Sequence, residues 1–119
     1  MLTAVPYFHS VQPSKDSAWI RNYLSVSIEC FEMFLIHLRS NGWTTVFLDE
    51  MYRLKKSGDA KGKYCVITFD DGYVDNYIFV YPLLQKYQMK GTTFVSPECV
   101  DNTRDKAELF HADLSSKDP

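Results

Sequence analysis

The sequence predicts an α/β fold built from parallel strands and crossover helices, and three observations carry that prediction. Short apolar runs rich in β-branched and aromatic residues alternate along the chain with stretches whose apolar residues recur every three to four positions. A helix-like stretch separates successive strand-like runs, as a crossover between parallel strands requires. The most strand-like run, YCVITF at 64–69, is an apolar run with β-branched residues and no clean alternation, which suits a strand covered on both faces.

Each element follows from its residues in turn. LTAVPYFHSV (2–11) opens on a short apolar run and reads as strand one, and the polar QPSKDSAW (12–19) reads as a loop. Ser27 is placed to cap a helix whose Phe31, Phe34, Leu35 and Leu38 form an i, i+3, i+4, i+7 stripe, and SNG at 40–42 stops it. WTTVFL (43–48) is strand two. A short helix from about Asp49 to Lys56 runs into KSGDAKGK, whose glycines and charges mark a surface loop. Strand three is YCVITF. Asp75 is placed to cap the next helix, Pro82 breaks or restarts it, and Leu83, Leu84 and Tyr87 continue its buried side. GTTFV (91–95) is strand four, and the tail from Asp101 to Pro119 is polar, with poor order expected.

At 119 residues the chain suits one domain able to bury a real core, and 45% hydrophobic with 24% charged residues is an ordinary globular composition. A net charge of -2 without a basic cluster speaks against nucleic acid as partner. Apolar stretches such as Phe31 to Ile36 fall far short of the ~20 residues of a membrane span. MLTAV at the start lacks the basic n-region and apolar length of an export signal, so the sequence as it stands reads as soluble and cytoplasmic. Cys30, Cys65 and Cys99 show no Cys-x-x-Cys spacing, and buried free thiols are expected rather than a disulfide framework or metal site.

One stretch carries chemistry. VITFDDGY (66–73) ends an apolar strand on Asp70 and Asp71, at the C-terminal end where α/β folds gather their sites. Adjacent side chains of a continuing strand point to opposite faces, but Gly72 frees the chain to turn at once, so both carboxylates can lean into one mouth above the sheet. Two carboxylates so placed repel unless a cation sits against one or one takes a proton. One carboxylate holding a metal while the other accepts the proton of a water would serve hydrolysis. The local residues equally allow a solvated turn, since Asp-Gly is common in turns for conformational reasons.

The wider pattern, VITFDDGYVDNYIFVYPLLQKYQMKGTTFV (66–95), closely resembles the first signature segment of the polysaccharide deacetylase family, the NodB-homology or carbohydrate esterase family 4 domain. PYFHSV (6–11) resembles that family's first strand, and FEMFLIHLRSNGWTTVFLDE (31–50) resembles the helix and strand before its Thr-Phe-Asp-Asp-Gly motif. The resemblance runs from about Leu2 to Val100. It implies a distorted (β/α) barrel that removes acetyl groups from carbohydrate polymers, usually of N-acetylglucosamine, with a divalent metal, typically zinc. It further implies Asp70 as general base and Asp71 as metal ligand, with Thr68, Phe69 and Gly72 shaping the turn. Tyr73 and His9 are the candidate substrate contacts, and such proteins are often exported or associated with the cell envelope.

The family's second motif, His-(Ser/Thr)-x-x-His-Pro, is missing. Of His9, His37 and His111 no two are spaced four apart, and His37 beside the apolar stripe reads as a surface or boundary residue. The later arginine, tryptophan and leucine-histidine motifs are missing too. Four strands make roughly half a barrel with two open edges, which proteins normally close, cover or pair. The expectation is therefore the N-terminal part of a longer deacetylase, holding zinc poorly and weakly active or inactive alone, since a catalytic zinc usually has three protein ligands. An alternative is an inactive module that binds glycan or associates through its open sheet edges. A magnesium site for phosphoryl chemistry ranks last, as no phosphate-cradling glycine loop supports it.

Overall fold

A computed structural model of the chain describes residues 1–13 and 24–97. The polar tail from Asp101, Cys99 and His111 lie outside the described residues, as does most of the expected loop after Gln12. The first strand divides into β1 (Leu2–Ala4), β2 (Tyr7–Phe8) and β3 (Ser10–Gln12). Pro6 interrupts it because it has no N–H to give the ladder, although its carbonyl still accepts from the Thr68 amide at 3.1 Å and the Thr68 hydroxyl at 2.8 Å. His9 interrupts it again, its carbonyl being taken by the Asn76 side chain at 3.0 Å.

Next come β4 (Ser25–Ser27), α1 (Ile28–Ser40), β5 (Trp43–Thr45) and α2 (Leu48–Ser57). The third expected strand is present as β6 (Lys63–Cys65) and β7 (Ile67–Asp71). A π-helical turn (Asn76–Val80) leads into α3 (Tyr81–Lys86), and β8 (Gly91–Val95) completes the order. All pairings are parallel: β6 lies between β1 and β5, β7 between β2 and β8, and β3 pairs with β4. Bonds of 2.9 Å from the Val66 amide to the Ala4 carbonyl and from the Val46 amide to the Cys65 carbonyl carry the ladder across the breaks.

The alternation of side chains along β6 and β7 divides the packing. Cys65, Ile67 and Phe69 join Phe31, Leu35 and Leu38 of α1 and Leu84 of α3 in the larger core. Phe8 ties the layers together, lying edge-on to Phe31 at 5.2 Å and stacked on Phe69 at 5.7 Å. Val66, on the other face, packs with Val46 and Met51 against α2. By the same alternation Thr68 and Asp70 follow on Val66's face, so the acidic end of β7 stands beyond the part that α2 fills. Each fully buried Phe or Leu here contributes about 1.5–3 kcal/mol, which outweighs the weak helix propensity of a short segment.

Caps fall largely where the residues place them. The Ser27 hydroxyl accepts the Cys30 amide at 3.1 Å, and Gly42 turns left-handed after α1. Glu50 accepts the Phe47 amide at 2.6 Å and so fixes the start of α2 at Leu48, which shortens strand two to Trp43–Thr45. Three expectations need correction. Residues 25–27 form a strand, β4, where only the Ser27 cap was expected, because the partner that makes them a strand is distant β3. Cys30 is exposed rather than buried, since the helical repeat turns it off the stripe that begins at Phe31. Asp75 makes no cap: it has helical backbone angles and is fully buried, its carboxylate turned into the protein. No described helix is long and apolar enough to cross a membrane.

Candidate active site

β7 is the central strand of its sheet, and it ends on the two acids. Below them Thr68 and Phe69 are buried, the first bonded to Pro6 and the second in the aromatic cluster, so the last rigid point of the strand lies directly under Asp70. The turn begins one residue earlier than the sequence suggests. Asp71 itself has φ 74° and Gly72 has φ 68°, two left-handed residues in succession. Asp tolerates this conformation better than most residues because its short polar side chain can bond locally. At Gly72 there is a second requirement: a Cβ would lie 2.9 Å from Val95 Cγ1 and 3.4 Å from Val95 Cα on β8. The turn is thus pressed against the neighbouring strand, which fixes where the carboxylates emerge.

His9 completes the cluster from the adjacent strand. Its Nε2 is 3.7 Å from Asp70 Oδ2 and 3.9 Å from Asp71 Oδ2, with side-chain exposures of 20% for His9, 40% for Asp70 and 54% for Asp71. These are ion-pair separations rather than direct hydrogen bonds. The imidazole lies in reach of both carboxylates, and all three groups remain open to solvent or a ligand. Tyr7 stands edge-on to His9 at 6.1 Å, and a cavity of about 330 Å³ lies beside His9 between Tyr7, Phe8, Leu24 and Val26. Tyr73 lies in a different recess, of about 450 Å³, with Gly72, Tyr77, Tyr81 and Val95. His37 is exposed on α1, beside Asn41.

Oxygen donors at Asp70 and Asp71 with a nitrogen donor at His9 suit a divalent ion chemically. They fit one side of such a site. Among the described residues no group of three or more His, Cys, Asp or Glu side chains is placed to hold a metal ion.

The residues that sequence reasoning passed over lie just behind His9. Asp75 accepts from the Ser10 hydroxyl, from Gln12 Nε2 at 2.9 Å, from Asn76 Nδ2 at 3.0 Å and from the Val11 backbone amide. Burial pushes its carboxyl above the ordinary range, against the pull of those donors. A signal was present: Ser10 and Gln12 stand two apart on a strand, so they share a face, and two polar residues on one face of a buried strand require a polar partner.

Residues 57–113 match the family model described as polysaccharide deacetylase. Protein YxkH of Bacillus subtilis (strain 168), named as a candidate polysaccharide deacetylase, is 41% identical over 75 residues, covering 62% of this chain and 27% of that protein. The poly-beta-1,6-N-acetyl-D-glucosamine N-deacetylase of Escherichia coli (strain K12) is 29% identical over 112 residues, 93% of this chain and 16% of that protein. Among solved structures, the Streptococcus pyogenes deacetylase PplD in complex with acetate superimposes with a TM-score of 0.72 at 24% identity, over 93% of this chain and 52% of that one. The chain thus spans well under a third of the length of these two curated relatives and about half of the solved one. The likeness identifies the parallel sheet and its helices as part of a (β/α) barrel.

Proposed function

Since the chain belongs to the polysaccharide deacetylase family, we propose that the protein carrying it hydrolyses acetyl groups from N-acetylated or O-acetylated carbohydrate polymers. An N-acetylglucosamine polymer is the favoured substrate, in line with the substrate named for the E. coli relative. The observation that carries this reading is the convergence of Asp70, Asp71 and His9 at the C-terminal end of a central parallel strand, within 4 Å of one another through His9 Nε2.

In this reading Asp70 is the base. Hydrolysis of an acetamide needs a proton removed from the attacking water and a proton delivered to the departing nitrogen, and a carboxylate on a rigid strand end can hold the first. Asp71, the most exposed of the three, would be one ligand of a divalent metal, zinc being favoured, with the remaining ligands coming from outside the described residues. When bound, the metal would supply Lewis-acid polarisation of the acetyl carbonyl. Thr68, Phe69 and Gly72 hold the turn that presents the acids. His9 and Tyr73 contact the sugar, His9 by its ring nitrogen and Tyr73 by stacking.

The test is acetate release from N-acetylglucosamine oligomers by the full-length protein, paired with metal content after dialysis. Asp70→Ala is expected to abolish turnover while metal stays bound, and Asp71→Ala to lose metal. Equal metal in wild type and Asp71→Ala removes that residue from the ligand set.

A second reading is favoured by one specific feature. Among the described residues β8 is a sheet edge, with Phe94 and Val95 about half exposed, and β4 lies at another edge. An inactive module that binds glycan or pairs through these edges would show glycan binding or self-association without acetate release.

A further inference from the structure

We propose that Asp75 and Asn76 form a positioning clasp that sets His9 against the two site carboxylates; this rests on the deacetylase reading for its consequence, though not for its geometry. The clasp joins two segments that are far apart in sequence and both adjacent to the site. Asp75 and Asn76 stand three and four positions after Gly72 of the acidic turn, while Ser10, Val11 and Gln12 follow His9 directly. Asp75 receives the Ser10 hydroxyl, the Val11 amide and the Gln12 side-chain amide, which draws β3 onto the start of the π-helical turn. Gln12 Nε2 also reaches the Ser10 hydroxyl at 3.1 Å, so the two donors brace each other. Asn76 Nδ2 is shared, donating to Asp75 Oδ1 and to the His9 carbonyl, each at 3.0 Å.

The chemistry of the set is one-sided. Every group that meets Asp75 is a donor, so the residue between them has to accept with both oxygens. An isosteric amide would turn an NH₂ toward one of those donors. Burial raises the stakes: Asp75 is 0% exposed, Ser10 1% and Gln12 4%, where an unpaired polar group has no water to fall back on. The backbone at His9 has left the sheet ladder and is held by the Asn76 side chain at its carbonyl. That bond ties the His9 backbone to the segment that follows the acidic turn, and so helps to hold the imidazole 3.7 Å from Asp70 and 3.9 Å from Asp71. Neither Asp75 nor Asn76 is placed to touch substrate; both act through His9.

The experiment compares Asn76→Ala and Asp75→Asn with Met51→Ala, a change in the separate core cluster under α2 that serves as a control for loss of stability. Two quantities are read in the full-length protein: the imidazole Cε1–H resonance of His9 at one fixed pH, assigned with His9→Gln, and kcat and KM for acetate release. Both clasp variants are expected to move the His9 resonance and to lower kcat/KM about tenfold or more, with the rise in KM that a displaced sugar contact brings, whereas Met51→Ala lowers the melting temperature and does neither. Ser10→Ala, which removes one donor and a single oxygen, covers the case in which Asp75→Asn fails to fold. A His9 resonance at the wild-type position in the clasp variants overturns the proposal, as does a moved resonance with undiminished kcat/KM. If the wild type releases no acetate, the deacetylase reading fails while the resonance still decides the clasp.

Discussion

Replacing Gly72 by Ala tests the turn that presents the carboxylates, and Gly42 provides an internal standard. Both glycines have left-handed φ, 68° and 75°, but a Cβ on Gly42 would meet nothing within 4 Å. Gly42→Ala therefore carries only the conformational penalty, about 1–2 kcal/mol. At Gly72 the new methyl would lie 2.9 Å from Val95 Cγ1, 3.3 Å from Val95 Cβ and 3.4 Å from Val95 Cα. The Cγ1 can swing away, since Val95 is half exposed, whereas the two atoms nearer the backbone yield only if β8 itself moves. Crowding of this kind adds about 1–3 kcal/mol, for a total of roughly 2–5 kcal/mol. Urea midpoints give the comparison, with Val95→Ala in a double-mutant cycle. A coupling of about 1 kcal/mol between positions 72 and 95 is expected because Val95→Ala removes the closest atom. Equal losses for Gly72→Ala and Gly42→Ala, with no coupling, would refute the idea that the acidic turn is braced on β8.

Other outcomes follow from the same physics. Leu35→Ala, in the middle of the α1 face and fully buried, should cost about 2–5 kcal/mol in chemical denaturation, and a loss under about 1 kcal/mol would place that helix outside the core. Burial pushes the Cys65 thiol up to about 11, so at pH 8 alkylation of the folded chain should modify Cys30 and spare Cys65, as peptide mass spectrometry would register; equal labelling would contradict the packing. The Lys86 ammonium, followed by the Tyr87 hydroxyl, holds Glu32 below its ordinary 4.5. The folded state therefore binds fewer protons there than the unfolded one, and the stability so gained is present above pH 4.5 and is lost as pH falls below it. Glu32→Gln should flatten that acid limb of the midpoint-against-pH curve, and an unchanged slope would mean that the contact between α1 and α3 contributes nothing in solution.

What could be read from the residues was local. The α1 stripe, its Ser27 cap and its stop near Gly42 are determined by neighbours within a few positions, and they stand where the pattern puts them. The parallel order of four principal strands also follows, because helix-length connections allow little else. Features set by distant partners were hidden. Ser25–Ser27 is a strand only because β3 lies beside it, and Val66 divides one strand in two because β5 and β8 share its flank at different heights. At the site the two acids and the turn after them were legible, whereas the left-handed Asp71 was masked by the more obvious glycine. Asp75 misled for a physical reason. A carboxylate at the start of a helical segment usually caps it, and only the polar pair Ser10 and Gln12, more than sixty residues away, reveals that this one turns inward.

The most direct test is the turnover of Asp70→Asn in the full-length protein on N-acetylglucosamine oligomers, with bound zinc measured on the same sample. An isosteric amide keeps the shape of the strand end but cannot accept a proton, so acetate release should fall about 10²–10⁴-fold while zinc is retained. Turnover equal to wild type at equal zinc would show that Asp70 is not the base, and the chemistry placed on the end of β7 would have to be sought elsewhere.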